Sequence, residues 1–143
     1  MTPSYRILLV EDDLAHAEIT RRNLEEFSPL IRDLVHVADG QAALDYLSSS
    51  DTESQATPNL ILLDLRLPLV DGLEVLRQVK LDTRLKTIPV VVLTTSKADA
   101  DVRGAYERGA SGYLVKPIEY GEYLALTRAL GQFWLTANQY VHA

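Results

Sequence analysis

The chain has 143 residues, of which 47% are hydrophobic and 24% are charged, with a net charge of −6 and no cysteine. This length suits one domain with a substantial core, and no apolar run approaches the roughly 18 residues that are needed to cross a bilayer. The acidic balance disfavours nucleic-acid binding, which needs clustered Lys and Arg, and the lack of cysteine excludes disulfides and thiolate metal sites. We therefore expect a single cytoplasmic domain, residues 1–143, without membrane or nucleic-acid partners.

The first part of the chain predicts two strands and two helices. An apolar run at 6–10 ends in three acids at 11–13, which is typical of a strand followed by the start of a helix. Asp13 is the expected N-cap of that helix, whose apolar residues recur at helical spacing until Ser-Pro at 28–29. The elements expected next are a strand at 34–38, a short helix at 41–47 and a polar surface loop at 48–58.

At 60–63 four consecutive large aliphatic residues run directly into Asp64. A run without alternation is typical of a strand that is covered on both faces, as in the centre of a parallel sheet. Pro68 has no amide hydrogen, so this strand cannot continue far beyond Asp64. Asp64 is therefore expected at the carboxyl end of a strand, which is the edge where open α/β sheets bind ligands.

The second half of the chain repeats the alternation of helix and strand. Gly109, which ends one helical pattern, suits a left-handed C-terminal cap. The whole pattern predicts an α/β protein with five parallel strands and five helices. The elements expected in this half are a helix at 73–82 after a turn at 71–72, a strand at 88–93, a helix at 98–108, a strand at 112–115 and a long helix from 120 to about 139.

Polar residues that end separate strands of such a sheet meet at one edge, although they are far apart in sequence. Here they are Glu11, Asp12, Asp64, Thr94 and Lys116. Crowded carboxylates need a cation or a raised pKa, and oxygen ligands without His or Cys favour Mg²⁺. A carboxylate can attack phosphorus to form an aspartyl phosphate, while a lysine and a hydroxyl can bind the phosphoryl oxygens. We infer that Asp64 takes up a phosphoryl group with the help of Mg²⁺.

Each of these residues also has an ordinary structural explanation. Acids after a strand are often helix N-caps, Asp64 could occupy a turn, Thr94 could be a satisfied core hydroxyl and Lys116 a solvated charge. All of them would have to reach equivalent strand ends by chance, which favours the functional interpretation. The histidines share no ligand spacing and are expected to be structural or exposed: His16, His36 and His142.

Four motifs resemble those of the receiver domain of two-component response regulators. They are Glu11–Asp12 after ILLV, LLDLRLPLVDG around Asp64, PVVVLTTS with Thr94, and GASGYLVKP with Lys116. The match runs from residue 6 to about residue 134. The resemblance implies a flavodoxin-like, doubly wound sheet with strand order 2-1-3-4-5. It also implies that Asp64 accepts a phosphoryl group from a histidine kinase in a phosphorelay.

The resemblance further implies a metal shell around the phospho-acceptor. Asp12 would ligate Mg²⁺ directly, together with Asp64, and Glu11 would usually act through water. The main-chain carbonyl of Arg66 would complete the protein's share of the shell. The first acid is Glu where many relatives have Asp, which is a tolerated variation.

The resemblance assigns the remaining site residues to phosphoryl binding and switching. Thr94 and Lys116 would bind the phosphoryl group, and Tyr113 would turn inward when Thr94 is drawn towards it. The Arg66 side chain could orient the attacking water in dephosphorylation or contact the kinase, and the sequence does not choose. It also leaves open whether the peptide bond between Lys116 and Pro117 is cis or trans.

Three segments resemble those of small stand-alone regulators that are paired with phytochrome-type histidine kinases. They are the longer loop at 48–58, the stretch VVVLTTSKADAD and the ending YGEYLALTRALGQFWL. We therefore expect a stand-alone regulator without an effector domain and with a phytochrome-type kinase as its partner. Its output would be changed protein–protein contacts.

The expected closing helix, 120–139, carries two apolar stripes at helical spacing. A helix that packs on one face of a sheet needs only the first stripe, which consists of Tyr123, Thr127, Leu130, Trp134 and Ala137. The second stripe is either scattered surface apolarity or part of an isologous homodimer interface. We predict the homodimer, with a surface formed by Leu126, Phe133 and Tyr140.

Two other functions compete with the signalling switch. A phosphatase of the haloacid-dehalogenase type uses a similar set of Asp, Mg²⁺, hydroxyl and Lys, but Arg66 stands where its second Asp is expected. A receiver-like adaptor that binds without being phosphorylated often lacks a key residue, and none is missing here. We expect a switch that assists its own phosphorylation and dephosphorylation, rather than an enzyme.

Overall fold

The alternating apolar strands and helices assemble into one parallel sheet with helices on both faces. The structure, a computed structural model, describes residues 4–49 and 57–141, and the five strands of its sheet lie in the order 2-1-3-4-5, numbered along the chain. This confirms the predicted fold class and strand order. The strands are β1 (Tyr5–Val10), β2 (Ile31–Val37), β3 (Leu60–Leu63), β4 (Val90–Thr94) and β5 (Gly112–Val115). The α-helices of the described residues are α1 (Leu14–Asn23), α2 (Gly40–Ser48), α3 (Gly72–Leu81), α4 (Asp99–Glu107) and α5 (Tyr120–Gly131).

The strand side chains divide between two apolar layers, because successive residues of a strand point to opposite faces. Leu8, Ile61 and Val92 lie in the layer that α2, α3 and α4 cover, whereas Leu9 and Leu62 lie in the layer under α1 and α5. All five side chains are buried. A sheet that is covered on both faces explains why its central strands show no alternation of apolar and polar residues. No helix within the described ranges is both long and apolar enough to cross a bilayer.

The first helix ends earlier than its apolar spacing predicts. α1 begins after its N-cap Asp13, as predicted, but it ends at Asn23, and a 3₁₀ helix (Glu25–Leu30) follows. The prediction of one regular helix up to Ser-Pro is therefore wrong in its last turn. The tighter turns of the 3₁₀ helix carry the buried Phe27 ring against Gly131, where a Cβ atom would lie 2.3 Å from the ring.

Two strands differ from their predicted bounds. β2 begins at Ile31, three residues before the predicted start, because its first residues pair with β1. Arg32 and Asp33 are exposed at this edge of the sheet. Because both are charged, the first residues of β2 lack the apolar pattern from which a strand is predicted. β4 begins at Val90 instead of residue 88, because Pro89 has no amide hydrogen to donate to the sheet. Most of the predicted surface loop at 48–58 lies outside the described residues.

The end of the chain differs most from its prediction. α5 ends at Gly131, and a π-helix (Gln132–Ala137) follows, so the prediction of a single regular helix to residue 139 is wrong. Since a π-helix has a wider turn, it changes which side chains face the core. Leu135 is buried and Ala137 is exposed, the reverse of what a regular helix predicts. The other members of the first stripe are buried or half-buried as predicted: Tyr123, Thr127, Leu130 and Trp134.

Tyr140 is packed against its own chain, beyond the end of the helix. Its ring lies 4.8 Å from the ring of Tyr5 between centroids, and its hydroxyl donates a hydrogen bond to the Trp134 carbonyl at 2.6 Å. Tyr140 therefore does not share a helical stripe with Leu126, which is half-buried, and Phe133, which is exposed. The predicted three-residue surface is reduced to these two side chains.

Candidate functional site

The five polar residues predicted to meet at the sheet edge are brought together there. Glu11, Asp64 and Lys116 each follow a strand directly, Asp12 comes after Glu11, and Thr94 ends β4. Hydrogen bonds between neighbouring strands hold these ends in register: the Asp64 amide donates to the Val10 carbonyl at 3.0 Å, and the Lys116 amide donates to the Thr94 carbonyl at 2.7 Å. The side chains are buried except for that of Asp12, which is exposed.

Three of these residues form an acidic cluster. Glu11, Asp12 and Asp64 each offer a carboxylate oxygen, and these oxygens all lie within 4.8 Å of one another. A single cation can bridge oxygens at such separations. Because the donors are hard oxygen atoms without His or Cys, the cluster fits a hard divalent cation.

The Lys116 ammonium is the counter-charge of this cluster. It donates hydrogen bonds to Glu11 Oε1 and, at 3.0 Å, to Asp64 Oδ2, and its side chain is only 1% exposed. Its third neighbour is His16 Nδ1 at 3.0 Å, which must accept because an ammonium has no lone pair. All three N–H groups are therefore used, and a phosphoryl oxygen can bind Lys116 only by replacing one of these partners.

Burial and the Lys116 charge act in opposite directions on the two buried carboxyls. Burial raises the pKa of Glu11 to about 7, although Lys116 opposes the shift. Burial would also raise the pKa of Asp64, but the charge and hydrogen bond of Lys116, with smaller effects of hydrogen bonds with Glu11 and with the Thr94 hydroxyl, lower it overall. The pKa of Lys116 is raised, because the two carboxylates outweigh burial. The Lys116 ammonium therefore favours the charged form of Asp64, which is the form in which a carboxylate can act as a nucleophile.

The loop between β3 and α3 folds back over Asp64. The Arg66 amide donates to Asp64 Oδ1 at 3.3 Å, and the Gly72 amide donates to the Leu65 carbonyl at 2.9 Å. A Cβ atom on Gly72 would lie 2.4 Å from the Asp64 carbonyl oxygen, so only glycine allows this close approach. The same loop carries Leu69, which has a φ of +68° and is 81% exposed.

Ser96 connects the two residues to which the sequence assigned a switching role. Its amide donates to Thr94 Oγ1 at 3.4 Å, and its carbonyl accepts a hydrogen bond from the Tyr113 hydroxyl at 3.0 Å. Thr94 and Tyr113 are thus joined through one residue of the loop between β4 and α4.

Two histidines contact the site, and these contacts were not predicted from the sequence. His16 contacts Lys116, and His36 Nε2 lies 2.7 Å from the Glu11 carbonyl oxygen. The position of His16 had a signal in the sequence: its amide donates to the N-cap Asp13 at 3.0 Å, so it lies in the first turn of α1, beside the acids. His36 had no such signal, because it lies on a neighbouring strand. His142 lies outside the described residues.

The Arg66 side chain turns towards α4. Its Nη2 atom donates to Asp101 Oδ2, which also accepts a hydrogen bond from Ser96 Oγ at 2.5 Å. Sequence reasoning did not identify Asp101 or Ser96. The peptide bond before Pro117 is trans, since the described residues include no cis peptide bond.

A cleft of about 740 Å³ opens beside Lys116. One wall is formed by His16 and Ile19 of α1, and the other by residues of the β5–α5 segment, including Pro117 and Ile118. The cleft therefore lies beside the lysine end of the site, where the Lys116 side chain itself is buried.

A family model described as the response regulator receiver domain matches residues 7–128. The chain belongs to the response regulator receiver family. The receiver is 44% identical over 133 residues to the probable methanogenesis regulatory protein FilR2 of Methanothrix harundinacea, covering 93% of this chain and 85% of the relative. It is 40% identical over 134 residues to response regulator Rcp1 of Synechocystis, covering 93% of this chain and 90% of Rcp1.

Two solved structures are similar to the receiver over nearly its whole length. The phosphorylated cyanobacterial phytochrome response regulator RcpA has a TM-score of 0.91 and 34% identity, covering 97% of this chain and 99% of RcpA. The Mn²⁺-bound form of Rcp1 has a TM-score of 0.88 and 38% identity, covering 96% of this chain and 99% of Rcp1. The receiver thus belongs to two-component signalling, in which receiver domains act as switches and have histidine kinases as partners.

Proposed function

We propose that the receiver accepts a phosphoryl group on Asp64 from a histidine kinase, with Mg²⁺ bound at the acidic cluster. The observation that carries this proposal is the position of the Asp64 carboxylate at the sheet edge, beside two further acids and the Lys116 ammonium. The Mn²⁺-bound structure of Rcp1 supports a divalent cation in a close relative. The residues that would hold Mg²⁺ are Glu11, Asp12, Asp64 and the main-chain carbonyl of Arg66.

The transfer would begin when a carboxylate oxygen of Asp64 attacks phosphorus. As this O–P bond forms, the bond from phosphorus to the kinase histidine nitrogen breaks, and its electron pair stays on that nitrogen. Lys116 and the Thr94 hydroxyl would bind phosphoryl oxygens during the transfer. By doing so, these two residues would assist both phosphorylation and dephosphorylation. Bound Mg²⁺ would supply positive charge to the phosphoryl oxygens.

Exposed aliphatic side chains near the site support a protein donor. Leu14, Leu69 and Ile118 are at least 71% exposed, and they lie on the segments that follow β1, β3 and β5. Apolar groups around a reactive site suit a partner that covers it during transfer. Because RcpA is a phytochrome response regulator, we propose a phytochrome-type kinase in the cytoplasm as this partner, with output through changed protein contacts.

A groove beside α5 supports the homodimer. It has a volume of about 260 Å³ and lies next to the edge strand β5, with Leu114, Leu126 and Phe133 among its lining residues. Phe133 is 52% exposed. We propose that Leu126 and Phe133 contact a second copy of the chain in an isologous dimer.

Replacing Phe133 by Asp should weaken self-association roughly tenfold or more, since a central aromatic side chain carries much of an interface's binding energy. Sedimentation equilibrium of the free and phosphorylated proteins measures this. Leu81→Asp is the matched control, because Leu81 is also exposed but lies on α3, outside the groove. If the wild-type protein is monomeric in both its free and its phosphorylated form, the proposed homodimer is refuted.

Incubation with acetyl phosphate and Mg²⁺ should add one phosphoryl group to the protein, and Asp64→Asn should abolish the addition. Asparagine preserves the shape of the side chain but lacks the nucleophilic carboxylate. Intact mass spectrometry measures the adduct. Asp71→Asn is the control, because this exposed N-cap makes no side-chain capping hydrogen bond and should leave phosphorylation unchanged.

Two other results would each point to a competing function. Rapid turnover of many phosphate esters would favour a phosphatase. No adduct under any condition would favour an adaptor that acts without phosphorylation.

A further inference from the structure

Asp101 is a buried carboxylate outside the acidic cluster. It lies in the first turn of α4 and is 8% exposed. Its Oδ2 atom accepts hydrogen bonds from Arg66 Nη2 and from Ser96 Oγ. Arg66 belongs to the β3–α3 loop and Ser96 to the β4–α4 loop, so Asp101 joins the loops that follow two neighbouring strands.

Both partners of Asp101 are also bonded to residues of the proposed phosphoryl site. The Arg66 amide donates to Asp64 Oδ1, and the Ser96 amide donates to Thr94 Oγ1. Each partner lies two residues beyond the side chain it contacts. A displacement of either loop towards a phosphoryl group therefore acts directly on the hydrogen bonds of Asp101.

We propose that Asp101 is a positioning residue, which holds Arg66 and Ser96 in the arrangement of the unphosphorylated receiver and so opposes phosphorylation. This inference rests on the proposed function of Asp64 and Thr94. When Thr94 moves towards a phosphoryl oxygen, its Oγ1 atom moves away from the Ser96 amide, which loses this acceptor unless Ser96 moves as well. Ser96 can follow Thr94 only if its hydroxyl leaves Asp101. Contacts that exist only in one of two states stabilise that state.

A carboxylate in the first turn also stabilises a helix through the helix dipole. The Ala98 amide donates to Ser96 Oγ at 3.3 Å, so Ser96 and Asp101 do contribute to the start of α4. A role limited to the helix start does not involve Arg66, which reaches Asp101 from 35 residues earlier in the chain. The two roles can therefore be separated by testing whether the effect of substituting Asp101 depends on Arg66.

The test is Asp101→Asn, which keeps an oxygen acceptor for Ser96 and removes the charge that pairs with Arg66. We expect the ratio of phosphorylated to unphosphorylated protein, at steady state with acetyl phosphate and Mg²⁺, to rise roughly 3- to 10-fold. In an Arg66→Gln background the same substitution should have no further effect. Intact mass spectrometry gives the ratio, and the decay after removal of acetyl phosphate separates loading from hydrolysis.

Asp99→Asn is the matched control, since Asp99 lies in the same turn of α4 but is exposed; it should leave the ratio unchanged. An unchanged ratio in Asp101→Asn, or an equal rise in the Arg66→Gln background, would overturn the positioning role. If urea unfolding shows that Asp101→Asn is not folded, Ser96→Ala tests the other hydrogen bond, with the same expected rise. An adduct that persists in Asp64→Asn would instead refute the proposed function of Asp64.

Discussion

Replacing Lys116 by Met should destabilise the receiver by about 3–5 kcal/mol at mildly alkaline pH, because it leaves two buried carboxylates without their counter-charge. Methionine has a similar length, so the change in packing is small. The Lys116 side chain is 1% exposed, and its partners Glu11 and Asp64 are 2% and 10% exposed. Water cannot replace the lost ammonium at such a site.

The loss should be smaller at mildly acidic pH. Burial already raises the pKa of Glu11 from 4.5 to about 7 against the opposition of Lys116. A carboxyl whose pKa is raised on folding binds more protons in the folded state, so its effect on stability worsens as pH rises through that window. Without Lys116 the pKa of Glu11 rises further, and protonation at acidic pH then removes one of the two unpaired charges.

Urea unfolding of the Lys116→Met variant with and without Mg²⁺ measures both effects. Mg²⁺ should restore part of the lost stability, because a ligand that binds only the folded state stabilises it. Lys97→Met is the control, since Lys97 is exposed and should change stability little. An equal loss in both variants would show that Lys116 is not the counter-charge, whereas no gain of stability with Mg²⁺ would contradict cation binding at the acidic cluster.

Replacing Gly72 by Ala should cost about 3 kcal/mol of stability, which is at the upper end for overpacking. The added Cβ would lie 2.4 Å from the Asp64 carbonyl oxygen and 2.6 Å from Leu65 Cα. These are backbone atoms, so the loop that carries Asp64 has to move. We also expect slower phosphorylation by acetyl phosphate, because small displacements of a reacting group lower the rate strongly.

Gly112→Ala is the matched control for this substitution. Its Cβ would meet only Val91 Cγ1, at 3.8 Å, so the free energy of unfolding should change by no more than about 0.5 kcal/mol. Urea unfolding and intact mass spectrometry of both variants measure the two effects. Equal behaviour of the two alanine variants would contradict a special role of the close approach at Gly72.

The positions of the central site residues were predictable because they depend on local patterns. The apolar run at 60–63 ends at Asp64, and the run before Glu11 ends in the same way. Once strands are parallel, their carboxyl ends share an edge, so local information is enough to bring these residues together. The N-cap Asp13 fixed the start of α1 for the same reason.

Other features depend on packing between distant segments and were not predictable. After α1 ends, Phe27 packs against Gly131, which is distant in sequence, and the π-helix after α5 changes which residues face the core. Asp101 lies in a weakly patterned helix, and its importance comes from Arg66, which is distant in sequence. Periodicity along the chain carries no information about such pairs.

Chemical trapping of the phosphorylated side chain tests the role of Asp64 most directly. After incubation with acetyl phosphate and Mg²⁺, borohydride adds hydride to the acyl carbon of an aspartyl phosphate, phosphate leaves, and further reduction gives homoserine. Peptide mapping by mass spectrometry then locates the reduced residue. We predict homoserine at position 64 and nowhere else, whereas a reduced residue at position 12 or 13 with Asp64 intact would contradict its role as the phospho-acceptor.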